Sequence, residues 1–166
     1  LKLLSEQNIN QSFEGIILGG DQGRSVYKKQ LIALVEQYRL KKNIKIIDHC
    51  DEMPVAYKIA NLVCSCSSEP EAFGRISVEA QSMGIPIIAS DIGGSTETIV
   101  KDKTGFLFKS GDSQALANAI IMVMQKDYNS LKSIGLEGRK NILKKFDVDK
   151  MCHTTFTEYK KLIELS

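Results

Sequence analysis

Short apolar runs alternate with longer amphipathic segments along most of the chain. The apolar runs predict β-strands at residues 13–19, 44–47, 62–66, 87–90 and 105–108. The segments between them repeat apolar residues every three or four positions, which indicates helices. Strands that alternate with helices predict an α/β fold, a parallel, doubly wound sheet with right-handed crossovers.

The predicted helices lie at residues 25–40, 54–60, 111–124 and 149–165, and a further one begins near residue 74. In the first of them, an apolar face packs towards the sheet and lysines face solvent. The last helix groups Phe156, Tyr159 and Ile163 on one face and places lysines opposite. A basic amphipathic helix of this kind can rest on an anionic membrane, although its lysines form no dense cluster.

The bulk composition is that of an ordinary globular domain. The chain has 166 residues, of which 43% are hydrophobic and 25% charged, and this length suits one domain with a sizeable core. The formal net charge is only +2. No large basic field is therefore available to bind nucleic acid through its phosphates, and nucleic acid is not an expected partner.

The four cysteines, Cys50, Cys64, Cys66 and Cys152, do not form the framework of a disulfide-stapled domain. Without a recognisable signal peptide, they favour a cytosolic, reduced protein. Cys64 and Cys66 alternate along a predicted strand and are expected on one buried face, and the two histidines lie far away in sequence, so no metal site is expected. No apolar run approaches the roughly 20 residues of a membrane span. The chain starts at Leu1 rather than at methionine, which we read as a piece of a longer protein.

The strongest candidate site lies in the stretch SCSSEPEAFGRISVEAQSMG, residues 65–84. It predicts the end of a strand, a small polar loop and then a helix. Ligands of open α/β sheets bind at the carboxyl ends of the strands. A helix N-terminus offers unpaired N–H groups and a partial positive charge. The loop is therefore a candidate seat for a phosphate group.

Two carboxylates frame this loop. Glu79 falls at the edge of a helix face formed by Ile76, Ala80 and Met83, where a carboxylate needs a partner. One partner is Arg75, one helical turn earlier, which gives a weak ion pair. The other is a vicinal diol, such as the ribose hydroxyls that an acidic residue binds in dinucleotide folds. Glu71, in the loop itself, is either merely solvated or part of the site.

Two other turns follow predicted strands. The run GGDQGR, residues 19–24, permits close backbone approach by a ligand, but it is not a GxGxxG fingerprint and equally fits an ordinary turn. The run DIGGSTE, residues 91–97, places Ser95 where it can cap a helix and Glu97 in the first turn of that helix. Capping alone explains those two side chains.

The run EAFGRISVE from Glu71 to Glu79, followed by AQSMGIPIIASDIGG, resembles the E-x7-E signature and following strand of family 4 (group 1) retaining glycosyltransferases. The similarity extends over about residues 15–146. The resemblance implies the C-terminal, donor-binding half of a GT-B fold, a Rossmann-like parallel sheet sandwiched between helices, with its first strand missing. Residues 1–166 would then be a single nucleotide-sugar-binding domain, a fragment of a two-domain enzyme whose N-terminal acceptor domain lies outside the chain.

The resemblance also implies roles for individual residues. Glu79 would bind the ribose hydroxyls, and Glu71, the catalytic candidate, would contact hydroxyls of the donor sugar. The remaining donor-binding candidates are the backbone amides around the diphosphate, two glycine turns lining the cleft and a methionine near the base: Phe73, Gly74, Arg75, Ile76, Gly19, Gly20, Gly93, Gly94 and Met53.

The full enzyme implied by the resemblance transfers a hexose or other sugar from a UDP-, GDP- or ADP-linked donor to a glycan or lipid of the cell envelope. No cofactor or metal is expected, since we find no DxD pair of the sort that would hold a metal ion. The full-length protein would work in the cytoplasm, with peripheral contact at the inner face of the membrane. Other members carry an arginine and a lysine after the first strand. Since these have no counterpart here, the chain alone is expected to bind donor weakly, if at all, and to be inactive.

Two alternatives to a transferase remain open on the sequence. The chain fits a non-catalytic nucleotide-binding or interaction module from a truncated or split gene. A GT-B relative such as a sugar-nucleotide epimerase is a further alternative, which the E-x7-E spacing and the Phe73-Gly74 pair make the less favoured.

Overall fold

The computed structural model describes residues 1–6, 13–20, 23 and 25–164. Within these residues, five short parallel strands alternate with helices. The strands are β1 (Gly15–Leu18), β2 (Ile44–Ile47), β3 (Val63–Ser65), β4 (Ile87–Ser90) and β5 (Phe106–Phe108). The helices are α1 (Lys2–Ser5), α2 (Ser25–Gln37), α3 (Met53–Ile59), α4 (Arg75–Ser82), α5 (Ser95–Thr98), α6 (Ser113–Met124), α7 (Tyr128–Lys145) and α8 (Val148–Glu164). The predicted α/β fold class is confirmed.

The strands form two hydrogen-bonded sets rather than the single sheet expected from the sequence. β1 pairs with β2, and β3, β4 and β5 pair in that order. Every pairing is parallel, as the alternation of strands and helices requires. Parallel order brings the carboxyl ends of β3, β4 and β5 to one edge, so the loops that follow these three strands lie together.

The core lies on both faces of β4. All four residues of this strand are buried, with Ile87 and Ala89 facing one cluster and Ile88 the other. The first cluster also contains Tyr57 of α3 and Ala80 of α4, and the second is completed by residues of β5 and α6. A strand covered on both faces explains why residues 85–89 read as an apolar run interrupted only by Pro86.

Helix α4 buries a different face from the one expected. The sequence favoured Ile76, Ala80 and Met83, but the buried residues are Ser77, Ala80 and Gln81, and Ile76 is 40% exposed. Three neighbouring elements set this face: Ala80 packs in the core cluster on β4, Ser77 faces Ser95 of α5, and Gln81 lies against Gly138 of α7. Just beyond α4, helix α7 also approaches closely, where a Cβ atom placed on Gly135 would lie 2.0 Å from the carbonyl oxygen of Gly84.

Two further expectations about local structure are wrong. Cys64 and Cys66 are exposed, because β3 turns Ser65 towards the interior instead. Ser95 does not cap α5, because the helix begins at Ser95 itself with Gly94 in the cap position. The buried side chain of Ser95 faces that of Ser77, with 3.5 Å between the two hydroxyl oxygens.

Helices α2 and α8 are only loosely covered. The apolar face of α2 contains no fully buried residue. The predicted apolar face of α8 is present and exposed, since Phe156, Tyr159 and Ile163 are 58%, 63% and 73% exposed. Leu165, the predicted end of this helix, lies outside the described residues. The predicted start of α6 is confirmed, because Asp112 accepts a hydrogen bond from the amide of Ala115 at 2.9 Å.

Candidate functional site

The loop after β3 turns into α4 at Gly74. This residue is buried and has a φ of +71°, a conformation that glycine adopts without the penalty of a Cβ atom. A Cβ atom here would also lie 3.3 Å from both the amide nitrogen and the hydroxyl of Ser95. The close approach of α5 and the left-handed turn both require glycine, so Gly74 fixes the direction in which α4 starts.

The N-terminus of α4 is left without a side-chain cap. Gly74, the N-cap residue, has no side chain to offer, and none of the described residues supplies a capping hydrogen bond. The amides of Ser77 and Val78 are the first of the helix to be satisfied, both by the carbonyl of Gly74. The amides of the preceding turn, at Arg75 and Ile76, are therefore the donors that a helix N-terminus presents to an anion.

Glu79 lies one turn further along α4, with both carboxylate oxygens engaged. Oε2 accepts a hydrogen bond from the hydroxyl of Tyr57 at 2.8 Å, and Oε1 accepts one from Nη2 of Arg75 at 3.0 Å. The side chain is 35% exposed, so the carboxylate is held without being sealed from solvent. The Arg75 pair considered from the sequence is thus present, but its guanidinium is 83% exposed, and an exposed pair of this kind contributes little to stability.

The partner hydroxyl belongs to a buried tyrosine. Tyr57 is only 6% exposed and is part of the core cluster on one face of β4. Burial raises the pKa of its hydroxyl far above the ordinary value, and the hydrogen bond to Glu79 raises it further. Tyr57 therefore stays protonated and remains a hydrogen-bond donor to Glu79 throughout the physiological pH range.

Glu71 is also held in place by the protein. Its Oε1 accepts a hydrogen bond from the hydroxyl of Ser67 within the same loop. The hydroxyl of Ser110 in turn donates to the carbonyl of Ser67 at 3.3 Å. Glu71 is half-buried, so the loop orients its carboxylate while leaving part of it accessible.

The Gly93-Gly94 turn supports this loop from beneath. A Cβ atom on Gly93 would lie 2.6 Å from the carbonyl oxygen of Glu71, and one on Gly94 would lie 2.4 Å from the carbonyl carbon of Phe73. The two glycines are therefore required so that the loop after β4 can pack directly on the loop after β3. The structure places them under the backbone that carries Glu71 and Phe73.

Three further donor-binding candidates, Met53, Gly19 and Gly20, have contacts with elements other than α4. Met53 packs against the core cluster that contains Tyr57. The contacts recorded for Gly19 and Gly20 are with β2 and the loop after it, through the carbonyls of Ile47 and Asp48. Asp21, Gln22 and Arg24 of the same turn lie outside the described residues.

Phe73 projects from the loop and is 44% exposed. Its ring packs edge-to-face against Phe146, with 5.6 Å between the ring centroids. This contact anchors the side chain of Phe73 to the C-terminal end of α7 and leaves its backbone amide beside α4.

Sequence reasoning missed the hydroxyl groups that hold the two carboxylates. Tyr57 lies 22 positions before Glu79, and Ser67 lies four positions before Glu71. The only sequence signal for Tyr57 was a tyrosine, with its polar hydroxyl, at a position of α3 that suits an apolar side chain. That signal does not identify the partner of the hydroxyl. For Ser67, a serine close to an acidic residue in a loop is too common to be diagnostic.

Neither a metal cluster nor a membrane helix is found in the described part of the chain. No group of three or more His, Cys, Asp or Glu side chains is arranged to hold a metal ion there. None of the described helices combines the length and the apolar character that a membrane crossing requires.

Comparison with known proteins identifies the family. The profile of the family described as "Glycosyl transferases group 1" matches residues 1–141. A capsular polysaccharide biosynthesis glycosyltransferase, CapM of Staphylococcus aureus, is 32% identical over 104 residues, which cover 63% of this chain and 27% of CapM. A D-inositol 3-phosphate glycosyltransferase of Corynebacterium glutamicum is 26% identical over 131 residues, 78% of this chain and 31% of the relative.

Solved structures give the same answer for the fold. A glycosyltransferase from Rickettsia africae superposes with a TM-score of 0.91 at 26% identity, covering 99% of this chain and 43% of that one. Anabaena Alr3699/HepE, solved in complex with UDP-glucose, superposes with a TM-score of 0.86 at 27% identity, over 96% of this chain and 43% of that one. The chain thus spans about a quarter to a third of the curated relatives and about two fifths of these structures. It belongs to the group 1 glycosyl transferases and has the fold of the C-terminal domain of a GT-B enzyme.

Proposed function

We propose that this chain is the donor-binding domain of a retaining glycosyltransferase that uses a nucleoside diphosphate sugar. The observation that carries the proposal is the uncapped N-terminus of α4, framed by Glu71 and Glu79. Both carboxylates are oriented by hydroxyl groups and both stay accessible. Crystal structures of the similar Anabaena protein contain UDP, UDP-glucose, or UDP and glucose, which supports a nucleotide sugar as the ligand.

The diphosphate is proposed to rest on the backbone amides of Phe73, Gly74, Arg75 and Ile76. When the bond between the sugar and the diphosphate breaks, the departing nucleoside diphosphate gains negative charge. Amides already fixed in position stabilise that charge without reorganising, and donors of this kind contribute about 3 kcal/mol each to lowering a barrier. Gly93 and Gly94 serve this function indirectly, because they hold the loop against α5.

The carboxylates of Glu79 and Glu71 are proposed to bind the nucleoside end and the sugar end of the donor, respectively. Glu79 accepts hydrogen bonds from the ribose hydroxyls, and Glu71, oriented by Ser67, contacts hydroxyls of the transferred sugar. Met53, Gly19 and Gly20 complete the nucleotide end of the cleft in this proposal. The donor requires no metal or cofactor from the protein, because the helix N-terminus supplies the positive potential.

The whole enzyme is proposed to transfer a hexose or related sugar to a glycan or lipid acceptor of the cell envelope. The name of CapM, which places that relative in capsular polysaccharide biosynthesis, supports this class of acceptor. An N-terminal domain outside this chain would bind the acceptor, and residues 1–166 would form the single donor domain. Its site of action would be the cytoplasm, with peripheral contact at the inner face of the membrane.

One observation favours a second candidate, a nucleotide-binding or interaction module without activity of its own. The apolar face of α8 is exposed, as it would be in a module that works by contacting another protein. The two candidates separate in the full-length protein. Glu71→Gln and Glu79→Gln lower turnover by orders of magnitude in an enzyme, whereas they leave partner binding unchanged in an interaction module.

Titration of the chain with nucleotides tests donor binding directly. Ligand-observed NMR with UDP, GDP, ADP and their glucose conjugates at millimolar concentration detects weak complexes. One base should bind, and Glu79→Gln should weaken binding by about tenfold, the loss expected for a hydrogen bond to a charged group. Glu158→Gln is the matched control, because Glu158 is an exposed helical glutamate that also pairs with a cation, Lys161. Equal binding by the wild type and both variants would contradict the proposed site.

A further inference from the structure

We propose that Tyr57 is a positioning residue that sets the orientation of the Glu79 carboxylate and thereby makes the site selective for ribose over 2′-deoxyribose. The inference rests on the proposed function, because it takes Glu79 to be the acceptor for ribose hydroxyls. Tyr57 itself lies in the core and is not among the residues proposed to contact the donor.

The carboxylate of Glu79 accepts hydrogen bonds from two protein donors and keeps lone pairs free for a ligand. An ionised carboxylate has about four lone-pair positions, two on each oxygen. Tyr57 occupies one position on Oε2 at 2.8 Å, and Arg75 occupies one on Oε1 at 3.0 Å. One lone pair on each oxygen remains, which matches the two adjacent hydroxyls of a ribose ring.

The two donors differ in how firmly they are held. The Tyr57 ring is 6% exposed and packed with Ala80, Ile87, Ala89 and Ile99, so its hydroxyl has a fixed position relative to β4. The Arg75 side chain is 83% exposed and is attached to the same helix as Glu79. The guanidinium of Arg75 is therefore free to change its conformation in solvent, and it offers Glu79 no contact outside α4. The hydroxyl of Tyr57, by contrast, holds the carboxylate in a fixed position relative to β4.

This asymmetry gives Tyr57 a specific consequence for binding. A carboxylate fixed to the core presents its two free lone pairs to a ligand in a constant orientation. Without the hydroxyl of Tyr57, the side chain of Glu79 samples other rotamers, and each ribose hydrogen bond must then restrict that motion. A ligand that lacks the 2′-hydroxyl makes less use of the carboxylate and loses less affinity.

The experiment compares each ribonucleotide with its 2′-deoxy analogue on the purified chain. UDP, GDP and ADP and their 2′-deoxy forms are titrated by ligand-observed NMR. We expect the wild type to prefer the ribonucleotide about tenfold and Tyr57→Phe to reduce this preference to about threefold or less. Affinity for the 2′-deoxy nucleotide should change by less than about twofold, which a general structural defect would not produce.

Two further variants make the comparison decisive. Tyr128→Phe removes a hydroxyl from a tyrosine that is 74% exposed at the start of α7, and it should behave as the wild type. Replacing Tyr57 by 4-aminophenylalanine retains a donor at the same place and should restore the preference, a result that does not depend on the phenylalanine variant folding.

The outcomes separate the inference from the proposed function. If Glu79→Gln abolishes the ribose preference but Tyr57→Phe keeps it, or lowers both affinities equally, the positioning role is wrong and the proposed site stands. Loss of the preference in the 4-aminophenylalanine variant would also overturn the role of Tyr57. If the wild type shows no preference, or binds none of the six nucleotides, the assignment of Glu79 fails and this inference fails with it.

Discussion

The backbone N–H of Gly94 donates a hydrogen bond of 2.8 Å to the carbonyl oxygen of Glu71. This bond joins the loop after β4 to the loop after β3, so two of the loops at the carboxyl edge of the strands form one unit. The bond also explains why a glycine pair follows β4, since side chains at either position would push into the backbone of residues 70–73. The position of Glu71 therefore depends on a neighbouring loop as well as on its own.

Gly94→Ala should distort the candidate site. Its Cβ atom would lie 2.4 Å from the carbonyl carbon of Phe73, a clash with backbone that no side-chain movement relieves. We expect the free energy of unfolding to fall by about 2 kcal/mol, as for other overpacked sites, together with loss of nucleotide binding. Chemical denaturation and nucleotide titration measure the two effects. Gly111→Ala is the control, because Gly111 has a φ of +76° but open space around it, so it should lose stability and retain binding.

Gly135→Ala should be strongly destabilising although alanine favours helices. The added Cβ atom would lie 2.0 Å from the carbonyl oxygen of Gly84, which forces α7 away from α4. We expect the free energy of unfolding to fall by about 3 kcal/mol, far more than the gain of about 1 kcal/mol from helix propensity.

Gly138→Ala on the same helix provides the comparison. Its Cβ atom would lie 3.1 Å from Cγ of Gln81 and from the carbonyl oxygen of Thr104, a tight contact that a small shift relieves. The free energy of unfolding should change by less than about 1 kcal/mol. Equal stability of the two variants in urea denaturation would show that α4 and α7 do not pack as described.

The buried hydroxyl of Tyr57 should make stability fall at alkaline pH. Its pKa in the folded chain is raised, first by burial and then by Glu79, whereas an unfolded tyrosine ionises near a pKa of about 10. Above that pH the unfolded state binds fewer protons than the folded state, so the free energy of unfolding decreases as pH rises.

Denaturation at pH 9 and pH 11 measures this contribution. From pH 9 to pH 11, the free energy of unfolding of the wild type should fall by about 1 kcal/mol more than that of Tyr57→Phe. Tyr128→Phe should follow the wild type, because Tyr128 is 74% exposed and lies outside the core clusters. If Tyr57→Phe follows the wild type as well, the hydroxyl is not buried in solution.

Helix α8 should be dispensable for the stability of the chain. None of its described residues is buried, so a chain that ends at residue 147 loses no buried side chain from the described part of the helix. We expect the free energy of unfolding to change by less than about 1 kcal/mol, as measured by thermal and urea denaturation. A chain that ends at residue 139 should not fold, because it also loses Ile142, which is 4% exposed, and the last part of α7. Loss of folding on removal of α8 alone would show that the helix packs on the domain.

The sequence by itself determined the order of elements and the location of the candidate site. Apolar runs between amphipathic segments predicted the strands and helices, because the period of apolar residues is a local property of the chain. The stretch from Glu71 to Glu79 is also a local feature, since its two carboxylates, its glycine and the start of a helix all lie within nine residues. The family followed from this one local pattern.

Only the tertiary structure decided what holds that site in place. Tyr57 and Glu79 are 22 positions apart, and their hydrogen bond exists because α3 and α4 pack against the same face of β4. The buried face of α4 was likewise set by its contacts with β4, α5 and α7 and not by the most apolar residues of the helix. Contacts of this kind depend on how distant segments pack together, and periodicity along one segment contains no information about its neighbours.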